Sequence, residues 1–162
     1  LGDPGSVLIH QTSTPPLDTI AVGFVTAQLA LGPSAGRMVI FGNSAPRRDQ
    51  DEVSTENRGR GLRYVKLDNG VEVISVSSQY AFSFIKDRVV EYRDVASPEA
   101  GSQFRSRDFF PKYVAAIVDR DYSVLTDELD PAEIEDVPSH LVAWTDGFGN
   151  IKTDASVVMR RC

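Results

Sequence analysis

The residues with the clearest chemical potential are Asp146 to Asn150, which lie between two apolar runs near the end of the sequence. The Asp146 carboxylate can hold a cation, the Phe148 ring can stack on a flat ring, and the Asn150 carboxamide can both donate and accept hydrogen bonds. Gly147 and Gly149 have no Cβ, so the backbone between these side chains can adopt positive φ and approach a ligand closely. The same residues also fit an ordinary β-hairpin, because Gly-Asn between apolar runs is a turn signal.

A second cluster of chemically active side chains, residues 102–111, precedes a stretch with helical spacing and places Ser106 between Arg105 and Arg107. A helix N-terminus offers free N–H groups and the positive end of the helix dipole, so this cluster can form a pocket for an anion or a nucleophile. The alternative is that Ser106 caps the helix while Arg107 and Asp108 form surface ion pairs.

Most other catalytic constellations are missing from the sequence. The Gly-x-Gly pairs that begin at Gly59 and Gly147 lack the strand and helix context of a phosphate-binding loop. His10 and His140 are far apart and no cysteine pair exists, so neither a metal site nor a bound cofactor is predicted. Cys162 is the single cysteine; an intrachain disulfide is therefore excluded, which suits a reducing cytoplasm.

The composition is that of a globular protein with no signal for binding nucleic acid or membrane. A chain of 162 residues with 41% hydrophobic and 25% charged residues predicts one domain, or one domain with a small second one. A net charge of -6 argues against a nucleic-acid binder, which usually carries a basic face. The apolar runs are all shorter than the roughly 20 residues that span a bilayer.

The hydropathy pattern predicts an α/β fold with a mixed sheet flanked by helices. Asp18 is positioned to cap a helix that runs to about Leu31. Residues 37–41 are almost entirely apolar, which predicts an interior strand covered on both faces. The apolar face of the helix is expected at Ile20, Phe24, Ala27 and Leu31.

The second half of the sequence predicts a hairpin, further elements and a change of domain. Residues 62–67 and 71–76 flank an Asn-Gly pair, which supplies both positive-φ positions of a type I′ turn. The acidic segment 127–138 is interpreted as an interdomain linker or a solvated helix. Further elements are expected as a short helix at 80–85, a strand at 88–92 and a helix from Ser106 or Asp108 through Val118. The resulting boundaries are an α/β domain at 1–126, the linker at 127–138 and the start of a small β domain at 139–162.

The two clusters, in this order, resemble the S-adenosylmethionine hydroxide adenosyltransferases, a family that includes the fluorinase and chlorinase. That family carries an Asp-x-Phe-Gly-Asn-x-x-Thr-Asn signature at the start of a small C-terminal β-barrel, and residues 146–153 match it, with Asp154 replacing the final Asn. Residues 103–110 follow in outline the family's Thr-Phe-His-Gly-Arg-Asp-x-Phe segment, and Ser106 stands where the halogenating members have Ser and the hydrolases have Gly. Residues 15–18 resemble the family's Pro-Pro-x-Asp-Ile segment.

Several family segments are missing or replaced. The first strand, with its Thr-Asp-Phe-Gly motif and ribose-binding Asp, is expected before Val7 and is absent. Other sequences replace the Val-Asp-Pro-Gly-Val-Gly loop at 41–47 and the Pro-Asp-Asn-Gly turn at 76–79. Arg105 replaces the hydrolases' His, and together with Ser106 it is a candidate catalytic residue. The resemblance therefore implies a diverged or truncated member with an incomplete β-barrel-like domain.

The resemblance also implies a function. Hydroxide or halide would attack the ribose C5′ of S-adenosylmethionine in an in-line displacement, giving an adenosine product and methionine. Phe148 and Asn150 would bind the adenine, Asp146 the methionine ammonium, and Phe104 and Ser106 would line the nucleophile pocket. Because the family site lies between subunits of a trimer, the resemblance implies a homo-oligomer, with the trimer as its expected form. A cytoplasmic location is also expected. The alternatives are an inactive adenosyl-ligand-binding or assembly subunit, and an α/β domain whose two motifs are only a hairpin and a cap.

Overall fold

The computed structural model describes residues 7–33, 37–44, 61–96 and 105–153. Within these ranges the chain has a mixed α/β fold, as the hydropathy pattern predicts, with a five-stranded sheet and a separate two-stranded antiparallel sheet. The strands described form no closed barrel.

The elements follow one another in a simple order. The helices are α1 (Thr19–Ala30), α2 (Arg105–Asp108) and α3 (Phe110–Val118). The strands of the large sheet are β1 (Val39–Gly42), β2 (Leu62–Leu67), β3 (Glu72–Val76), β4 (Val89–Val95) and β5 (Leu125–Glu128). Their spatial order is β1-β3-β2-β4-β5, with β1 parallel to β3 and the other pairs antiparallel. The small sheet contains β6 (Val142–Thr145) and β7 (Ile151–Thr153).

Helix α1 begins where the sequence predicts, but it buries a different face. Asp18 accepts a hydrogen bond from the Ala21 amide at 2.9 Å and so caps the helix. Of the expected apolar face, Leu31 is 42% exposed and the other three residues are only half-buried. The helix is apolar around most of its circumference, so residue spacing alone does not select the packed side. The buried residues are Thr19, Ala21, Val22, Gly23, Thr26 and Ala30.

The hairpin β2–β3 is confirmed, although its turn is of another type. Gly70 has a φ of 85°, whereas Asn69 does not lie in the positive-φ region, so the turn is not type I′. The Gly70 amide bonds to the Leu67 carbonyl at 2.9 Å, as in a type I turn followed by a left-handed glycine. The Asn69 side chain is used elsewhere: it accepts from the Val71 amide at 3.1 Å and donates to the Ala30 carbonyl at the end of α1 at 2.8 Å.

Strand β1 lies at the edge of the sheet and not in its interior, which corrects the prediction for residues 37–41. Its apolar sequence favours burial on both faces, yet Phe41 is 38% exposed. Among the described residues β3 is its hydrogen-bonded neighbour.

The chain after β4 breaks into two helices and not one. The predicted helix through Val118 is interrupted at Phe109, which occupies the N-cap position of α3 without a side-chain capping bond. Ser106 therefore lies inside the four-residue α2 and does not cap the longer helix. Pro111 lies in the first turn of α3, as expected.

Two further stretches differ in detail from the predictions. The short helix expected at 80–85 is a 3-10 turn at Ser83–Arg88, and the strand expected at 88–92 is β4. Segment 127–138 contains the end of β5 and a 3-10 turn at Pro131–Glu133. Ile134, 4% exposed, packs into the main apolar core, so this segment connects β5 to β6 while lying on the sheet.

The sheet is covered on both faces by apolar clusters. One cluster joins Val22 and Ala30 of α1 to Val65 and Val73 of the central strands. The other is formed by residues from β2, β3 and β4 together with α3: Leu62, Tyr64, Ile74, Val76, Val95, Phe110, Tyr113 and Ile117. Burial of these side chains supplies most of the driving force for folding.

A buried carboxylate, Glu72 on β3, links the sheet to the end of α3. Its side chain is 1% exposed, and Oε1 accepts hydrogen bonds from the Tyr64 and Tyr122 hydroxyls, each at 2.8 Å. Oε2 accepts from the guanidinium of Arg120 at 2.7 Å. Arg120 adopts a φ of 65°, so the backbone turns sharply just beyond α3. Burial, together with the hydrogen bond to Glu72, raises the pKa of Tyr64.

Candidate functional site

The loop from Asp146 to Asn150 connects β6 to β7 and has a defined backbone conformation. The Asp146 amide donates to the Asn150 carbonyl at 3.0 Å, and the Gly149 amide donates to the Asp146 carbonyl at 3.0 Å. Gly149 has a φ of 83°, a conformation that glycine adopts at little cost. The segment is therefore a hairpin loop, as the turn signal predicts, and it brings Asp146, Phe148 and Asn150 close together in the chain.

The Asp146 carboxylate stabilises this loop by accepting three hydrogen bonds from within it. Its Oδ1 accepts from the Phe148 amide at 2.9 Å and the Asn150 amide at 2.8 Å, and its Oδ2 accepts from the Asn150 carboxamide at 2.7 Å. The hydrogen bond from the Asn150 side chain is the main reason that the pKa of Asp146 is lowered. A carboxylate that accepts several N–H bonds is strongly favoured in its charged form.

Phe148 presents an aromatic ring almost fully to solvent on this fixed backbone. Its side chain is 95% exposed, although its amide is anchored to Asp146. A Cβ built on the neighbouring Gly147 would meet nothing within 4 Å, so that position also faces open space. A large exposed aromatic ring on an ordered loop is suited to stack on a flat partner.

The small sheet that carries the loop is fastened to α1. Leu141 and Ala143 are 8% and 4% exposed, and β6 packs against the helix. Val142 and Ile151, in contrast, are 53% and 43% exposed on the same two strands. The loop is thus held at one end of a half-buried hairpin.

The second cluster lies beside the start of α3. Ser106 is exposed, and Arg107 forms a two-point ion pair with Asp108, with N–O distances of 2.6 and 3.1 Å. This pair agrees with the surface ion pair considered for the sequence. Phe104 and the rest of residues 97–104 lie outside the described residues, as does the side chain of Arg105.

The carboxyl ends of the parallel strands β1 and β3 form a third feature, which the sequence analysis did not identify as a site. Ser75 Oγ donates to the Gly42 carbonyl at 3.1 Å, and Ser78 Oγ donates to the Ser44 carbonyl at 2.8 Å. Ser44 Oγ is buried and has no hydrogen-bond partner in the described part of the chain. Ligands of open α/β sheets bind at such strand ends. The serines that follow each strand were the signal available in the sequence.

Ring packing places the start of α3 beside this strand end. The Phe41 and Phe110 rings meet edge to face with centroids 6.3 Å apart. Segments 41–44 and 76–78 lie together at this strand end, and α2 leads into α3 beside it. The Phe148 ring, being 95% exposed, packs against neither of these segments.

A shallow pocket lies on the other face of the sheet, lined by residues that include Ser77, Phe82, Tyr92 and Ile134. Its volume is about 100 Å³. Ligand pockets commonly measure roughly 300–1,000 Å³, so this pocket does not hold a nucleoside.

The described residues contain no group of three or more His, Cys, Asp and Glu side chains arranged to hold a metal ion. Among the same residues, none of the helices has the length and apolar character needed to cross a membrane.

Comparison with known proteins supports the fold. A crystal structure described as an uncharacterized conserved protein from Thermotoga maritima superposes on this chain with a TM-score of 0.67 at 18% sequence identity. The match covers 93% of this chain and 61% of the Thermotoga protein, so this chain spans about three fifths of that protein's length. Neither a family model nor a curated protein sequence matches the chain.

Proposed function

We propose that this chain binds S-adenosylmethionine or a related adenosyl compound through the loop from Asp146 to Asn150. The observation that carries the proposal is the Phe148 ring, 95% exposed on a backbone that the Asp146 carboxylate holds in place. An exposed aromatic ring on a rigid loop needs little reordering to stack on adenine, so it loses little conformational entropy on binding.

The three loop side chains have distinct roles in this proposal. Phe148 stacks on the adenine, and Asn150 reads the polar edge of the base with the amide groups that do not face Asp146. Asp146 fixes both of them and supplies negative charge near the methionine ammonium. Its lowered pKa supports a carboxylate that stays charged at neutral pH.

The proposed reaction is cleavage at the ribose C5′ atom. Water or a halide forms the new bond to C5′ while the C5′–S bond breaks, and the sulfonium leaves with the bonding electron pair as neutral methionine sulfur. A water nucleophile also loses one proton to solvent. The positive sulfur makes an acid for the leaving group unnecessary, so the protein has to orient and desolvate the nucleophile. Ser106, with Phe104 and Arg105 before it, is the proposed lining of that pocket.

A non-catalytic adenosyl-ligand-binding or assembly subunit is the second candidate. The specific observation in its favour is that Ser106 is exposed on a four-residue helix, where nothing in the described structure excludes water from it. The exposed position of Phe148 fits either candidate if a second subunit completes the site. The proposal therefore includes a homo-oligomer, with the trimer that the resemblance implies. It also includes a cytoplasmic location and a β-barrel-like C-terminal domain.

Binding is testable through Trp144, the single tryptophan, which lies two residues before Asp146. S-adenosylmethionine and adenosine are titrated while tryptophan fluorescence is recorded, and the affinities are verified by calorimetry. Phe148→Ala is expected to weaken binding about 5- to 150-fold, because stacking of a base on an aromatic ring contributes roughly 1–3 kcal/mol. Val90→Ala is the matched control, since Val90 is 62% exposed on β4. Equal affinities for Phe148→Ala and the unmodified chain would refute the proposal.

Turnover separates the two candidates. The same mixtures are analysed by chromatography for adenosine and methionine, with chloride and fluoride added in parallel. Products that form with the unmodified chain and decline in Ser106→Ala support the enzyme. Binding that depends on Phe148 without any product supports the binding subunit.

A further inference from the structure

Among the described residues, no strand pairs with the outer edge of β1. Residues 38–41 contain no charge and no proline, and no bulge interrupts the pairing of β1 with β3. Proteins usually protect such edges with charged residues, prolines or bulges, because an open edge can pair with another strand.

The hydrogen-bonding groups that face this edge can be assigned from the ladder. The Glu72 amide donates to the Met38 carbonyl at 3.1 Å, and the register pairs Val39 with Glu72 and Phe41 with Ile74. In a parallel ladder, alternate residues of a strand direct both backbone groups to the same side. The N–H and C=O groups of Val39 and Phe41 therefore point away from β3, toward the open edge.

A segment of suitable length and character is available in the same chain. Residues 7–11 belong to neither sheet, and Val7, Leu8 and Ile9 are 53%, 94% and 86% exposed. Two of these three residues are β-branched, which favours the extended conformation of a strand. The segment has five residues, against four in β1.

We propose that residues 7–11 of one copy of the chain add as a strand to the outer edge of β1 of a second copy. In the part of the chain that the structure describes, the segment is exposed and does not pair with its own edge, so both complementary surfaces are free to meet another molecule. Reciprocal exchange closes a dimer, and head-to-tail exchange closes a ring. This pairing uses neither the Asp146 loop nor any ligand, so it stands independently of the proposed function.

Cross-linking between two differently substituted chains tests the pairing directly. In a background with Cys162→Ser, one preparation carries Leu8→Cys and the other Asn43→Cys, an exposed residue directly after β1. A short bismaleimide is expected to join the two preparations when they are mixed, with a yield at least fivefold above that of either alone. A control mixture replaces Asn43→Cys by Val90→Cys, on the far side of the sheet order, and is expected to remain unlinked.

The mass in solution, measured by light scattering after gel filtration, tests whether the pairing of residues 7–11 with β1 stabilises the assembly. The unmodified chain is expected at a multiple of its monomer mass, and Leu8→Asp at a lower mass, because the strand exchange is lost whether or not the chain also associates through the proposed adenosyl-ligand site. Val39→Pro removes an N–H from the open edge while sparing the groups that bond β3, and it is expected to lower the mass in the same way. Val90→Asp introduces the same charge at another exposed site and is expected to retain the assembly. Circular dichroism verifies that each variant is folded.

Three results would overturn the proposal. The first is a monomer at all concentrations with no cross-link. The second is an assembly whose mass is unchanged in both Leu8→Asp and a folded Val39→Pro. The third concerns a chain that carries both Leu8→Cys and Asn43→Cys. If its cross-linked product has the mass of a single chain, the segment pairs with the edge of its own chain.

Discussion

Replacing Glu72 by Gln keeps the shape of the side chain but removes the charge on which the link between β3 and α3 depends. Three donors, on Tyr64, Tyr122 and Arg120, converge on this carboxylate at 2.7–2.8 Å. The new amide offers one acceptor oxygen and turns an N–H group toward at least one of these donors. Either the Tyr64 hydroxyl or Arg120 then loses its partner.

The expected cost follows from the burial of each partner. Tyr64 is 1% exposed, so water cannot replace its lost hydrogen bond, and an unsatisfied buried hydroxyl costs about 1–3 kcal/mol. The Arg120 side chain is 39% exposed and can be rehydrated, which reduces the penalty for the broken ion pair. Breaking a fully buried ion pair costs roughly 3–5 kcal/mol, and we therefore expect a loss of about 3 kcal/mol in the free energy of unfolding.

Urea unfolding measures this loss as a lower midpoint at an unchanged slope. Glu128→Gln makes the same chemical change at an exposed position on β5 and is expected to alter stability by less than about 0.5 kcal/mol. A cycle with Tyr64→Phe isolates the contribution of the phenol, with an expected coupling of about 1–2 kcal/mol. A cost below about 1 kcal/mol for Glu72→Gln would show that the carboxylate is not what holds α3 to the sheet.

The remaining predictions concern the loop, one helix contact and the response to alkali. Asn150→Ala is expected to raise the pKa of Asp146 toward its ordinary range, measured by carbon-13 NMR of the carboxyl, because the largest cause of the lowered pKa is lost. The hairpin stability that this carboxylate supplies is present above its unfolded pKa and is lost as the pH falls through the folded pKa. Gly23→Ala is expected to cost about 1–3 kcal/mol by urea unfolding, because its Cβ would overlap the Tyr80 carbonyl oxygen. Stability is expected to fall above about pH 10, by roughly 1.4 kcal/mol per pH unit for each raised tyrosine, and less steeply in Tyr64→Phe.

The sign of the alkaline effect follows from the raised pKa of Tyr64. Below the pKa that Tyr64 has in the unfolded chain, both states keep the phenol proton, so the stability that this phenol contributes is fully present there. Above it the unfolded chain releases the proton while the folded chain retains it, which favours unfolding. Tyr92 also has a pKa raised by burial, so Tyr64→Phe removes only part of the slope. An identical dependence of stability on pH in Tyr64→Phe and the unmodified chain would contradict the role of Tyr64. An unchanged pKa of Asp146 in Asn150→Ala would contradict the role of the Asn150 hydrogen bond, and an unchanged stability of Gly23→Ala would contradict the close contact with Tyr80.

The sequence predicted those elements that are determined by local chemistry. The Asp18 cap, the pairing of β2 with β3 and the position of Pro111 depend on neighbouring residues, and each is present. Two local predictions were wrong. The turn at Asn69 is not type I′, because the Asn69 side chain bonds to the end of α1 and its backbone is not left-handed. The predicted long helix is interrupted at Phe109.

The rest depended on contacts between distant segments. The apolar residues 38–41 gave no sign that β1 would lie at an edge, because hydropathy reports the expected burial and not the presence of a neighbour. Glu72 begins a largely apolar strand, but its partners Arg120 and Tyr122 lie about fifty residues away in the sequence. For the candidate site, the loop could be located from its motif. The serines near the ends of β1 and β3 are present in the sequence, but only the pairing of the two strands shows that they lie together.

The hydrogen bond from Asn69 to the Ala30 carbonyl bears on the order in which the chain folds. Strands β2 and β3 are joined by a tight turn and can pair early, while the partners of this bond are 39 residues apart and those at Gly42 and Ser75 are 33 apart. Contacts across such separations form late, because the loop entropy must be lost before they can stabilise the chain. The β2–β3 hairpin is therefore expected to form first, and α1 and β1 are expected to pack against it afterwards.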